Sequence, residues 1–319
     1  MCVRHNTLLL SVVLITLLLT IVPGQSVNIS QSSAEPVQVH ITVTGKNDAF
    51  VDGLQQNNFE VFVENTPAKI VSFSNQDAPT SIGIVFDLSG SASRGSEGKM
   101  RGDLIMVREA LSRFVSQSHA SNEYFLMGFN VKPQLLSDWT SNHSELLNAF
   151  NDLTASGNTA FYDSCYVAVD KLMAGRHTKR VLLLFGDGLD NLSRHTFKEL
   201  RELLRHTGVV VYSIYFSGQP DLRSTLGEEG RSILRELSLT SGGRVYSEVG
   251  HPIKPKEVAT VLEAIADELR HQYSMSILPA EPGGNRKWSK IKTVVKSASN
   301  EKVRSRTREG FYSGRPKTD

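Results

Sequence analysis

Four short runs built almost wholly of apolar residues, at 82–86, 124–129, 180–185 and 209–216, recur through the middle of the chain with longer segments between them. A strand apolar at nearly every position is covered on both faces, as happens when helices pack on both sides of a mostly parallel sheet. The intervening segments carry helical periodicity. Leu104, Val107, Leu111 and Phe114 recur at three- and four-residue spacing within 99–118, and similar stretches lie at 144–152, 160–173, 196–206, 226–239 and 256–273. The alternation predicts a doubly wound, Rossmann-like α/β domain over 78–279. Its ligand site is expected beyond the carboxyl ends of the strands, where the strand order reverses.

The flanks follow a different period. Val37–Val43, Phe59–Val63 and Ile70–Phe73 read as strands of a small N-terminal β unit over 36–76. Near the other end, 290–296 and 302–308 alternate apolar or small residues with Lys and Arg. They predict a hairpin turning at 297–300, within a C-terminal β region over 280–314 that ends in a tail at 315–319. Neither flank is large enough to bury a core alone. We therefore expect the two to form one β-sandwich unit with the α/β domain inserted between them.

Leu8–Val22 is an apolar run preceded by Arg4 and followed by Pro23 and Gly24. It reads as a signal peptide over 1–25, cleaved rather than retained as an anchor, with a polar linker over 26–35. The mature chain is then expected to be secreted or periplasmic, with no transmembrane span. Loss of Cys2 with the signal leaves Cys165 alone, so the reading allows no intramolecular disulfide and makes Cys165 a buried structural thiol. There is no CxxC pair and no HExxH to suggest zinc.

Immediately after the first apolar run stands Asp87-Leu88-Ser89-Gly90-Ser91. One carboxylate and two hydroxyls at alternate positions, where a strand becomes a loop, suit a hard cation that takes oxygen ligands and keeps some water. Ser156-Gly157-Asn158-Thr159 and Phe185-Gly186-Asp187-Gly188 put further oxygen donors where this fold gathers its ligands. Asp163, Asp190 and Asn191 read as capping groups for nearby helices and loops.

These residues resemble the metal-ion-dependent adhesion site of von Willebrand factor type A domains, whose pattern is Asp-x-Ser-x-Ser, a distant Thr and a distant Asp. The resemblance implies that Asp87, Ser89, Ser91, Thr159 and Asp187 hold Mg²⁺, with Mn²⁺ or Ca²⁺ as alternatives. Asp87 would anchor the site partly through water, Ser89 and Ser91 would coordinate directly, Thr159 would come and go with ligand state, and Asp187 would act through water. It further implies a protein partner that supplies a carboxylate as the last ligand. The flanking segments, among them Gly242-Gly243-Arg244-Val245-Tyr246 and Arg308-Glu309-Gly310-Phe311-Tyr312, resemble a secreted bacterial family of such proteins from acidobacteria. Asn58, Asn65 and Phe311 depart mildly from that pattern without touching a ligand.

Enzyme readings fail on the residues. An aspartyl phosphotransferase or dehalogenase would want a second Asp where Ser89 stands. No G-x-S-x-G elbow surrounds Ser89, and there is neither a P-loop nor a Gly-x-Gly-x-x-Gly in the first turn. The expectation is therefore binding without catalysis. Arg101-Gly102-Asp103 opens a helix and reads as a chance tripeptide. The net charge of +2 conceals a split: residues 284–319 hold 11 Lys and Arg against 3 acids. That basic segment reads first as solvent-facing charge blunting an edge strand. The alternative is a structural envelope protein held by this segment to an anionic envelope component, with the metal site only stabilising. Few aromatics are interleaved with the charges, so nucleic acid is not an expected partner.

Overall fold

The computed structural model describes residues 35–90, 97–151, 153–217, 225–247, 251–280, 288–296 and 302–312. The signal peptide, nearly all of the linker, Ser91, the expected turn at 297–300 and the tail lie outside them.

The fold is mixed α/β. Its central sheet is built from β5 (Thr80–Asp87), β6 (Glu123–Phe129), β7 (Pro133–Thr140), β8 (Lys179–Gly186), β9 (Val210–Tyr215) and β10 (Val245–Tyr246) in the order β10-β9-β8-β5-β6-β7. All neighbours are parallel except β6 and β7, which form an antiparallel hairpin at one edge. Successive residues of β5 turn to opposite faces. Ile82, Ile84 and Phe86 join a core with α1 (Glu97–Gln117), α2 (His143–Asn148) and α6 (Val258–Arg270). Val85 joins another with α3 (Phe161–Met173), α4 (Phe197–Thr207) and α5 (Thr225–Ser241). Cys165 is buried in this second core, and burial pushes its thiol far above the usual range. The chain leaves β5 for β6 on one side and later returns to lay β8 on the other. The order thus reverses between β5 and β8, and a crevice opens there beyond their carboxyl ends.

Two antiparallel sheets enclose a separate core of Val39, Ile41, Val61, Tyr273, Met275, Ile277 and Phe311. One sheet runs β13 (Arg304–Arg306), β1 (Val37–Thr44), β11 (Tyr273–Leu278) and β4 (Lys69–Ser74); the other runs β14 (Gly310–Tyr312), β12 (Trp288–Val295), β2 (Phe59–Val63) and β3 (Thr66–Pro67). Two features differ from the sequence reading. β11 follows α6 after only two residues and lies within the 78–279 span expected to be α/β, yet it pairs with β1 and β4. The two basic strands do not form a hairpin with each other. β12 pairs with β2 and β14, whereas β13 pairs with β1 in the opposite sheet. Crossing between sheets lets Ile291, Val295 and Val303 pack on the same core, and Thr293 and Ser305 still meet across it, Oγ to Oγ at 2.8 Å.

The basic segment is also less free than its composition suggests. Arg308 is buried; its Nε donates to the Gly310 carbonyl at 2.7 Å and its Nη2 to the Arg205 carbonyl at 2.5 Å. Arg306 pairs with the buried carboxylate of Glu268 on α6 and donates to the Gly243 carbonyl at 2.8 Å. Lys296 pairs with Glu60 at 2.5 Å and Arg304 with Asp48 at 3.0 Å. Much of this charge therefore serves to fasten strands, and two of its arginines fasten them to the α/β elements.

Removing residues 288–319 should deprive β1 of β13 and β2 of β12. Amide exchange within β1 and β2 is expected to quicken by at least about tenfold, and by more than that of β5 and β8. Unchanged protection of β1 and β2 would show that they do not depend on the C-terminal strands.

Candidate metal centre

Asp87 is the last residue of β5, and its carboxylate is almost wholly buried. Its Oδ1 accepts the backbone N–H of Ser89 at 2.8 Å, which bends the chain sharply out of the strand. Asp187 follows the end of β8 and repeats the arrangement: its Oδ1 accepts the N–H of Leu189 at 3.0 Å. The two strands are neighbours, with Phe86 opposite Phe185, so the two turns stand on either side of the crevice. Asp87 lies against Gly186, whose absent side chain leaves room for it; a Cβ there would come within 3.4 Å of Asp87 Oδ2.

The third loop is joined to the first by backbone. Ser156 N–H donates to the Leu88 carbonyl at 2.9 Å, and Gly90 N–H donates to the Gly157 carbonyl at 3.0 Å. Thr159, two residues on, is buried. Asn191 grips it from the β8 side: Thr159 N–H donates to Asn191 Oδ1 at 2.9 Å, and Asn191 N–H donates to the Thr159 carbonyl at 3.0 Å. Asp190 Oδ1 accepts from Phe161 N–H at 3.0 Å and so caps α3, while Asp163 accepts from the N–H groups of Arg194 and His195. These three residues act as capping and loop-fastening groups, in keeping with their residue types.

Of the five residues selected from sequence, Asp87 and Ser89 stand on the turn after β5, Asp187 on the turn after β8, and Thr159 on a loop hydrogen-bonded to both. Ser91 lies outside the described residues. The reading missed the supporting glycines. Gly230 of α5 packs so tightly on this loop that a Cβ would stand 2.1 Å from the Asp187 carbonyl oxygen. Gly188 adopts φ +79°, and its Cβ would meet the Gly230 carbonyl oxygen at 2.3 Å. The Gly186-Asp187-Gly188 repeat was the available signal. Gly188→Ala should cost about 2 kcal/mol or more, since strain and a backbone clash act together. Chemical denaturation checks this, and a loss under about 0.5 kcal/mol would contradict it.

Burial, then the nearby charge of Asp187, pushes the Asp87 carboxyl up to about 7, against an ordinary value of 3.8, despite opposing hydrogen bonds from Ser89. A donor set of two carboxylates and hydroxyls, with no sulfur or imidazole, fits a small hard cation. Among the described residues, no group of three or more His, Cys, Asp or Glu side chains gathers around a metal-sized point. A cation here would rest on hydroxyls as much as on carboxylates. Beside Asp87, a shallow pocket is lined by Leu104, Ala155, Phe216 and Asp103. Asp103 belongs to the Arg101-Gly102-Asp103 tripeptide, which lies inside α1 rather than on an open loop.

A search of curated proteins finds no match to the chain. Among solved structures, the PilB minor pilin of Streptococcus sanguinis is 13% identical at a TM-score of 0.48, covering 62% of this chain and 63% of the pilin. A von Willebrand factor type A protein from Catenulispora acidiphila is 12% identical at a TM-score of 0.44, covering 88% of this chain and 74% of that one. The vWF domain of the pilus tip protein Mfa5 from Porphyromonas gingivalis is 22% identical at a TM-score of 0.31, covering 36% and 39%. The chain thus spans less than two thirds of the pilin's length. The family model of the von Willebrand factor type A domain matches residues 82–189, from β5 through the second aspartate of the crevice. The chain carries a von Willebrand factor type A domain.

Proposed function

We propose that this chain binds a protein partner through a divalent cation, Mg²⁺ first and Mn²⁺ or Ca²⁺ as substitutes, held by Asp87, Ser89, Ser91, Thr159 and Asp187. One observation carries the reading. Asp87 and Asp187, both buried, stand at the ends of neighbouring parallel strands where the strand order reverses, with hydroxyl residues on the adjoining loops, and the charge of Asp187 adds to the cost of ionising Asp87. A cation held there would offset the carboxylate charge and would supply a Lewis-acidic point for a partner's carboxylate. The residues of this chain hold the position: the Asx turns fix both aspartates, and Asn191 fixes Thr159. We read the role as binding rather than catalysis, because Ser89 stands where an aspartyl-nucleophile enzyme wants a second Asp and no G-x-S-x-G elbow surrounds it.

The apolar run at Leu8–Val22 supports export, and we place the mature protein outside the cytoplasmic membrane. Among the described residues no helix is long and apolar enough to cross a membrane. The second reading, attachment by the basic segment to an anionic envelope component, is disfavoured by the burial of Arg308 and the pairing of Arg306, Arg304 and Lys296. Immobilised protein should capture its partner from an envelope extract of the source organism in Mg²⁺ and release it in chelator. Capture that withstands chelator but is washed away by salt would favour the second reading instead.

A further inference from the structure

Gly242-Gly243 and Arg308-Glu309-Gly310 have no part in the metal centre, and the fold brings them together. α4 ends just before β9 and α5 just before β10, so both helices finish at the amino end of the central sheet, opposite Asp87. A helix leaves its last carbonyls without N–H partners and carries negative potential there. The chain from Arg306 to Gly310 passes from β13 to β14 across both helix ends and supplies the donors. Arg308 Nη2 donates to the Arg205 carbonyl in the last turn of α4 at 2.5 Å. Glu309 N–H donates to the Thr240 carbonyl in the last turn of α5 at 3.2 Å, and Arg306 Nη1 to the Gly243 carbonyl just past it at 2.8 Å.

Arg308 occupies a space bounded by glycine. Both helices stop at a glycine in the left-handed region, Gly208 at φ +70° and Gly242 at φ +87°. A Cβ on Gly208 would stand 2.5 Å from Arg308 Nη1, and one on Gly242 would stand 2.5 Å from the Arg308 backbone nitrogen. Arg308 Nε donates to the Gly310 carbonyl at 2.7 Å, so two nitrogens of the planar group are each held by a carbonyl. Among the described residues no carboxylate forms an ion pair with it, and burial pushes the guanidinium down to about 10. A cation kept from water needs compensation, and the helix ends with their free carbonyls provide it. An ammonium, being a compact point charge, does not present donors in two fixed directions as a guanidinium does. We propose that the ends of α4 and α5 form a guanidinium-binding socket, and that Arg308 is the group that seats the β sandwich in it.

Thermal melts of the full chain test it. Arg308→Ala should lower Tm by about 8 °C or more, and Arg308→Lys by nearly as much. Methylguanidinium at about 50 mM should then raise the Tm of Arg308→Ala by at least about 2 °C beyond the effect of methylammonium at the same concentration, because it fills the vacated socket. The wild type, whose socket is filled, should show no such difference between the two ions. A Tm of Arg308→Ala within about 2 °C of the wild type, Arg308→Lys melting with the wild type, or two ions acting alike on Arg308→Ala overturns the proposal. Where Arg308→Ala does not fold unaided, its refolding yield in the two ions is read in place of Tm. Recovery in methylguanidinium alone supports the socket; equal recovery in both, or none in either, overturns it.

Discussion

Asp87→Asn protein, in chelator at pH 8, should be more stable than the wild type by about 2–4 kcal/mol. The direction follows from the raised carboxyl of Asp87, at about 7 in the folded chain against 3.8 ordinarily. Between those values the folded state holds a proton that the unfolded state has released, so wild-type stability falls as pH rises from about 4 to about 7 and then levels. Three pKa units correspond to about 4 kcal/mol. Asparagine keeps the shape, abolishes the charge and escapes this loss. The difference between the proteins should therefore be small at pH 4 and open across the window. Added Mg²⁺ should reverse the order, because a cation stabilises the ionised wild type and offers the amide far less. Thermal melts at several pH values, with chelator and with Mg²⁺, check each part. A variant less stable than the wild type in chelator at pH 8 would show that the crevice already has its counter-charge.

The second large effect is expected at the join between the sandwich and the α/β elements. Glu268 of α6 is buried and accepts from Tyr212 Oη at 2.6 Å and Thr42 Oγ1 at 3.0 Å, besides pairing with Arg306. Gln272 Nε2 donates to Tyr212 Oη at 3.0 Å and Thr42 Oγ1 at 3.3 Å, closing the network. Glu268→Ala leaves the largely buried Arg306 guanidinium without its anion and leaves two hydroxyl protons without their acceptor. The expected loss is about 3–5 kcal/mol, or a fall in Tm of roughly 10 °C for a chain of this size. Glu268→Leu combined with Arg306→Met should recover most of it, because an apolar pair needs no compensation. A single variant within about 1 kcal/mol of the wild type would mean that solvent at the exposed side of Arg306 replaces the lost anion.

The burial of Glu268 marks where the sequence stops being readable. Strands covered on both faces announce themselves as apolar runs, so β5, β6, β8 and β9 were legible. β7 was not: Pro133, Gln134, Ser137 and Asp138 belong to an edge strand half in solvent, with bulged pairing and no clean alternation. Period-two alternation tells which face of β12 and β13 is buried but carries no information about the partner strand, hence the false hairpin. Arg306 and Arg308 read as surface charge because their partners, Glu268 and the carbonyls of Arg205 and Gly310, come from other elements. The strand-to-loop turns at Asp87 and Asp187 were legible, since they are local. Gly230 behind them was not, because its purpose is the close approach of α5 to the Asp187 turn, which only the fold reveals.

The central claim is that Asp87 and its neighbours hold a divalent cation. Mn²⁺ titrated into the full chain and followed by electron paramagnetic resonance tests it most directly. The account predicts one bound Mn²⁺ per wild-type chain, displaced by excess Mg²⁺, and an affinity lowered by about 100-fold or more in Asp87→Ala, as loss of a buried anionic ligand implies. Equal binding by the two proteins, or no stoichiometric binding by the wild type, would contradict it.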